Sequence, residues 1–445
     1  MKKMKEIKIP DGADRILRVL EDHGYEAFVV GGCVRDSLLG RDPHDWDITT
    51  SALPQEVKKL FPRTIDTGLK HGTVTILAGR EAYEVTTYRI DGAYLDGRHP
   101  SGVTFTTSLE EDLRRRDFTI NAMAYSARAG LQDFFGGAED LEKGLIRAVG
   151  DPEKRFGEDA LRILRAVRFS AQLGYEIEEE TLRAMKDLAP TLARISAERI
   201  AAELEKTLVS PHPDKLLTAY ACGITAVILP EFDRCMRTPQ NNPHHCCNVG
   251  EHTIRAVMNV RPDRILRLTM LLHDFGKPDC RTTDDQGVDH FYRHPDVSAK
   301  IADRVLRRLK SDNFTRRSVV RLTSFHDRTF RLTEPAIRKA VIEVGEDLFP
   351  LYLEVKEADI MAQSTYQRGQ KTAYLEEVRR LYRRILDRGD CLSLKDLAVS
   401  GDDLIAAGVR EGRDIGRILH EMLMDVVDTP GHNNREYLLH RFVRS

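Results

Sequence analysis

The 445-residue chain has one tryptophan and seven cysteines, and no two cysteines form a CxxC pair. Scattered thiols do not build a disulfide framework, which points to a reducing, cytoplasmic setting. No apolar run approaches the roughly 18 residues that a membrane span needs, so no membrane partner is expected. The opening stretch MKKMKEIKIPDG is basic but lacks the apolar segment of a secretory signal. Charge of one sign is not in excess either: 68 Lys and Arg face 70 Asp and Glu, a net charge of −2. That balance excludes a uniformly basic nucleic-acid coat and leaves room for a local one. Fixed-period repeats and low-complexity segments are missing too. The length is too great for one core, and two to four domains are expected.

What is there divides into a strand-rich start and a long helical remainder. EAFVVGG at 26–32 is a short apolar run ended by glycines. GTVTILAG at 72–79 and AYEVTTYRI at 82–90 carry the β-branched content of two paired strands turning at Gly79 and Arg80. CVRDSLLG reads as a short helix closed by Gly40. From about 151 the apolar spacing becomes helical, as in EDALRILRAVRFSAQLG, which stops at Gly174.

DPHDWDITT at 42–50 places Asp45 and Asp47 two apart. On an extended strand both would face the same way, and two like charges so close call for a cation between them. Magnesium suits this role, because it is held by one or two carboxylates together with substrate phosphates. An isolated DxD is more often a solvated acidic loop. Here it follows VVGGCVRD, where a strand, Gly31 and Gly32, and a helix start let backbone N–H groups approach a phosphate. Arg35, one turn into that helix, adds a guanidinium fork. Together these describe a nucleoside triphosphate held opposite a metal site.

GGCVRDSLLGRDPHDWDITT, RRRDFTINAMAY and RFGEDALRILRAVRF resemble successive motifs of the class II tRNA nucleotidyltransferases, the CCA-adding enzymes and their poly(A) polymerase relatives. The resemblance runs in order from about 29 to 170. It implies an α+β fold: a small mixed-sheet nucleotidyltransferase head (1–150) of five strands, a helical neck (151–235), an HD-type helical body (236–385) and a helical tail (386–445) contacting tRNA. It also implies that Asp45 and Asp47 hold Mg2+ for two-metal nucleotidyl transfer to an RNA 3′-hydroxyl. Glu84, on a later strand, is the candidate third carboxylate. Asp117 is expected to accept the ribose 2′-hydroxyl, with Arg116 on phosphate or base. CTP, ATP and the tRNA 3′ end are the expected partners.

Choice of base without a template falls to Asp159 and Arg162, expected three apart on one helix face. A carboxylate accepts from the amino group of cytosine or adenine, and a guanidinium donates to their ring acceptors. Guanine and uracil present a carbonyl to that carboxylate and are refused. Arg165 and Arg168 extend a basic ridge expected to reach the triphosphate or the RNA end. The glycine-rich stretch 89–103 resembles a flexible loop that members adding only the two cytidines lack. Its presence leaves CCA addition, A addition alone, or poly(A) synthesis, and CCA addition is favoured.

Further along, His252, the pair His273–Asp274, and Asp359 form an ordered set resembling the HD phosphohydrolase pattern. Imidazole and carboxylate ligands suit a divalent metal, and His294 and His326 are candidates for a second one. Some relatives with such a domain hydrolyse phosphate esters, including 2′,3′-cyclic phosphates on RNA ends, and others keep the fold without activity. A chain of a different class, an HD phosphohydrolase with a nucleotide-binding head, is the alternative. Adjacent Cys246 and Cys247 cannot adopt the usual zinc spacing and are read as structural.

Overall fold

The structure, a computed structural model, describes residues 7–92, 102–410 and 412–443. The chain divides into two compact units, Met1–Ile228 and Leu229–Ser445.

In the first unit, β1 (Ala27–Val30) and β2 (Ile48–Thr50) are buried along their whole lengths. β3 (Thr64–Gly68), β4 (Thr73–Ala78) and β5 (Glu81–Thr87) follow. β6 (Arg89–Asp91) and β7 (Val103–Phe105) pair as a separate hairpin, and β8 (Ala124–Ser126) and β9 (Gly130–Gln132) return to the main sheet. The sheet order is β3-β4-β5-β2-β1-β8-β9. β2 gives it its mixed character, running antiparallel to β1 and parallel to β5.

Among the described residues the sheet has seven strands where five were expected. Both of its edges lack the signal that marks a strand in sequence. TIDTG in β3 is largely exposed, so it needs no apolar alternation, and β9 is only three residues long. The β4–β5 hairpin follows the expectation. Val74 pairs with Val85 and Ile76 with Tyr83, all four buried, while the residues between them are more polar. The stretch expected as a loop at 89–103 is bracketed by β6 and β7, and its residues 93–101 lie outside the described residues.

Beyond the sheet, the helix Leu161–Leu173 buries Ile163, Leu164, Ala166, Val167 and Phe169, and ends at Gly174 with φ +74°. It packs against the helix Ala197–Leu208.

The second unit is built of helices, among them Val249–Asn259, Arg264–Leu272, His294–Arg308, Asn313–Phe325 and Phe349–Ala362. A hairpin pairing Thr282–Thr283 with Asp289–His290 interrupts them. Ile337, Val341, Phe349, Tyr352 and Ile385 centre its larger core, and Val399, Leu404, Met422, Val426 and Leu438 a smaller one. Of the tail glycines, Gly408 and Gly412 lie between helices at positive φ, whereas Gly401 and Gly416 lie within helices. Among the described residues, no helix is long and apolar enough to cross a membrane.

Candidate nucleotidyl-transfer site and a histidine–aspartate cluster

The first site grows from the end of β1. Gly31 turns the chain at φ +84°, a conformation that side chains resist, and Gly32 opens the helix Gly32–Leu38. A Cβ at Gly31 would lie 2.9 Å from Arg116 Nη1, so the turn and the arginine leave each other no spare space. Arg116 is half-buried, its buried Nε has no hydrogen-bond partner, and loss of solvent lowers its pKa. An orphaned buried guanidinium nitrogen beside a glycine turn fits an anion.

Asp45 and Asp47 lie in the approach to β2 rather than within the strand. Val30 donates its N–H to the Asp47 carbonyl (3.0 Å), which continues the β1–β2 pairing by one residue and fixes Asp47 beside the glycine turn. The Asp47 carboxyl is raised above its ordinary pKa by loss of solvent, with Arg116 opposing and the like charge of Asp45 adding to the rise. The parallel register Ile48↔Val85 sets Glu84 level with Asp47 on the neighbouring strand, where its side chain is exposed. An all-oxygen set of mutually repelling carboxylates suits a hard divalent cation.

A polar chain runs away from the glycine turn. Arg35 donates to Asp36 through Nε and Nη2 (both 2.9 Å) and through Nη1 to Asn121 Oδ1 (2.7 Å). Asn121 donates to Asp117 Oδ1 (3.3 Å), which also takes the Phe118 N–H (2.9 Å), and Arg165 Nε donates to Asp117 Oδ2 (2.7 Å). Burial pushes the Asp117 pKa up, but Arg165 and these bonds hold it below the usual carboxylate range. The guanidinium groups of Arg35, Arg165 and Arg168 lie 5.2, 5.3 and 4.0 Å from the centre of the Phe169 ring. The face of that one ring eases the repulsion among three cations.

Two expectations are corrected here. Asp159 and Arg162 do not share a helix face, because Asp159 is extended (φ −142°, ψ 104°) between the helices Pro152–Glu158 and Leu161–Leu173. Its carboxylate receives the Leu161 N–H (3.0 Å) and pairs with Arg199 (2.7 Å). Arg162 instead engages Glu158 and donates to the carbonyls of Arg155 (2.9 Å) and Arg115 (3.0 Å). Nor do the arginines form one open ridge. Arg168 is 7% exposed and donates to Gln172 on its own helix and to Glu203 on the packed helix Ala197–Leu208.

In the second unit, six side chains from five separate stretches of the sequence converge. His252 and His273 are fully buried, and Asp274, His326, Asp359 and His294 nearly so. His252 Nε2 lies 3.4 Å and His273 Nε2 3.2 Å from Asp274 Oδ2; His294 and His326 Nε2 lie 3.3 and 3.6 Å from its other oxygen, Oδ1. Asp359 Oδ1 is 3.0 Å from His252 Nε2. Asp274 thus sits between two ligand sets, His252–His273 and His294–His326.

Hydrogen bonding fits such sets to a metal. The Nδ1 atoms of His273, His294 and His326 bond the carbonyls of Met270, Phe291 and Thr323 at 2.6–2.8 Å. Each Nε2 is thereby turned inward, toward the Asp274 carboxylate. Nε2 atoms then face each other at 3.3 Å (His252–His273) and 3.2 Å (His294–His326), which a cation resolves. Burial raises the Asp274 pKa, but His273 and Lys277 outweigh it and hold the carboxyl well below its ordinary value.

Residues 27–147 match the poly A polymerase head domain, 174–236 the RNA- and SrmB-binding site of polymerase A, and 283–442 domain 2 of tRNA nucleotidyltransferase. The crystal structure of the Bacillus stearothermophilus CCA-adding enzyme in complex with CTP is 32% identical. It superposes with a TM-score of 0.70 over 97% of this chain and 96% of that one. The chain belongs to the family of CCA-adding enzymes and poly(A) polymerases. The CCA-adding enzyme of Leuconostoc mesenteroides is 54% identical over 217 residues, 48% of this chain and 54% of that protein. That of Lactobacillus helveticus is 55% identical over 232 residues, 52% and 58%. The chain therefore matches a little over half the length of these curated relatives.

Within this CCA-adding family member, several site residues escape a reading of the sequence. Asn121, which joins Arg35 to Asp117, stands in RRRDFTINA with nothing but its place in the motif to mark it. Arg199, the partner of Asp159, lies 40 residues further on. Lys277, in HDFGK, is buried, forms an ion pair with Asp274 (2.7 Å) and donates to Gln240 (2.7 Å). The ring of His245 stands 4.9 Å from that of His252, and burial lowers its pKa to about 2. Cys246 is exposed, not packed in a core, with Arg255 donating to its sulfur.

Proposed function

We propose that the chain adds CCA to the 3′ end of tRNA from CTP and ATP, in the cytoplasm. The observation that carries this reading is Gly31, a residue at positive φ with no room for a side chain, flanked by half-buried Arg116 and by Asp47. Likeness over nearly the whole of a CTP-bound CCA-adding enzyme supports it.

Asp45, Asp47 and Glu84 would hold magnesium, which supplies the charge that favours an RNA 3′-oxyanion and a pyrophosphate leaving group. Backbone N–H groups at Gly31 and Gly32 and the guanidinium groups of Arg116 and Arg35 hold the triphosphate. Asp117, oriented by Asn121 and Arg165, keeps lone pairs for a ribose hydroxyl. Asp159 and Arg162 offer the acceptor and donor that cytosine and adenine need once Arg199 and Glu158 give way to a base edge. Arg165 remains a nucleotide contact in this reading, whereas Arg168 serves the neck.

Transcripts of one tRNA ending before CCA, at C and at CC, incubated with each nucleoside triphosphate, test this reading. Extension of the shortest to CCA and no further is expected, with Asp45→Ala inactive. Addition of A to the CC end alone makes the chain an A-adding enzyme, and long A tails a poly(A) polymerase.

The converging histidines favour a second reading, for the body. We propose that it is an HD-type domain, in which His252, His273, Asp274 and Asp359 hold one divalent metal and His294 and His326 help hold another. Bound there, the metals supply Lewis acidity for hydrolysis of a phosphate ester. Hydrolysis of an RNA-derived phosphate ester, lost in Asp274→Asn, is the expected result.

A further inference from the structure

The cluster opens into a cleft of about 830 Å3 whose walls include His290, Tyr292, Arg293, Lys356 and Lys371. Tyr292 is 72% exposed. Its ring lies almost parallel to that of His290, 4° apart with centres separated by 5.4 Å. A tyrosine ring this open to water, stacked on half-buried His290 and bonded through its hydroxyl to His290 Nδ1 (3.4 Å) beside a polar cleft, is not core packing.

Their position is built, not incidental. His290 bonds Asp284 at 2.8 Å and ends the short hairpin. Its neighbour Asp289 is buried and takes bonds from Arg281 (3.0 Å), Thr283 (2.7 Å) and the Asn241 N–H (2.9 Å). Phe291 gives its carbonyl to His294 Nδ1, and Arg293 turns the chain at φ +62° into the helix that carries His294. The aromatic pair and a candidate metal ligand are therefore held by one anchored five-residue segment. Across the cleft, Lys356 is tied to the His326 carbonyl (3.1 Å), so a cation is held close to the other ligand of the same set.

We infer that Tyr292, backed by His290, is a stacking platform for a nucleobase. Such a platform makes the cluster favour an ester that carries a base over one that does not. An aromatic face takes any base and gives sequence-tolerant binding, and the lysines take the phosphate. This inference rests on the hydrolase reading of the body given above. In the cyclic case, water adds to phosphorus and one P–O bond to ribose breaks. The freed ribose oxygen takes a proton, leaving a phosphomonoester.

The full-length protein with Mn2+ is assayed on adenosine 2′,3′-cyclic phosphate and on glycerol 1,2-cyclic phosphate, which has the same reacting ring and no base. Tyr292→Ala is expected to raise KM for the nucleotide about tenfold, within the range of one lost stacking contact. Its kcat, and all constants for the glycerol ester, should hold, and Tyr292→Phe should behave as wild type. Calorimetric binding of adenosine 3′-monophosphate to Asp274→Asn, with and without Tyr292→Ala, gives a readout free of turnover, and the second change should weaken it about tenfold. Equal losses on both esters, or no loss of nucleotide binding, overturns the platform. If wild type cleaves neither ester but Tyr292→Ala still weakens nucleotide binding, the platform stands and the hydrolase reading falls.

Discussion

Arg168 shows how an arginine in a nucleotide-binding motif can serve the fold instead. Its guanidinium lies over Phe169 and pairs with Glu203, both charges almost wholly buried. Removing one partner of such a pair leaves the other charge uncompensated, at a cost of about 3–5 kcal/mol, whereas replacing both with apolar groups is often close to neutral. Glu203→Ala should therefore lower stability to urea by about that amount, and Arg168→Met with Glu203→Leu should recover most of it. The recovered double variant should keep its KM for CTP, ATP and tRNA; a large rise would return Arg168 to the substrate. Gly31 makes the opposite case. Alanine there meets both an unfavourable φ and Arg116, so Gly31→Ala should lower kcat/KM for CTP at least about tenfold, or 1.4 kcal/mol. Gly31, Arg116 and Asp47 could be read from the sequence because each belongs to a motif whose chemistry demands that residue type. Asn121 and Arg199 could not, since what they do depends on partners brought near only by folding.

Elements were legible where burial imposes a period. β1, β4 and β5 announce themselves through apolar residues that must face a core, whereas β3 stays solvent-exposed and carries no such mark. Asp159 was misplaced for a related reason. Three-residue spacing means a shared face only along an unbroken helix, and an aspartate just before an apolar run is as well suited to capping it. Caps of this kind can be tested at Asp312, which begins the helix Asn313–Phe325 leading to His326. Its carboxylate accepts from the Thr315 N–H (2.9 Å), from the Thr315 hydroxyl (2.8 Å) and from Arg264 (2.8 Å), and these hold its pKa at about 2. Asp312→Ala should cost about 1 kcal/mol at neutral pH by urea denaturation. A depressed folded pKa contributes stability that is complete above the unfolded value of about 3.9. That contribution is lost as pH falls through the folded value, so the difference between wild type and variant should shrink between about pH 4 and about pH 2.

Taken whole, the chain carries two sets of acidic residues that ask for different metals. The carboxylates around Asp47 are exposed oxygen donors, suited to a cation that keeps water and takes phosphate. The cluster around Asp274 is buried and rich in imidazole, and its ligands come from five helices or helix ends that must already be packed. The ordered spacing of its histidines and aspartates was visible in the sequence. That one carboxylate stands between two histidine pairs was not, because bridging is a property of distances. A metal that binds only the folded cluster must stabilise it by mass action. Chelation should therefore lower the melting temperature of the wild-type chain and leave that of Asp274→Asn nearly unmoved. Asp45→Ala should keep the chelator response while losing nucleotide addition, and Asp274→Asn should keep addition while losing hydrolysis. A melting temperature that still responds to chelator in Asp274→Asn would mean that the stabilising metal sits elsewhere, and the bridging role of that aspartate would have to be given up.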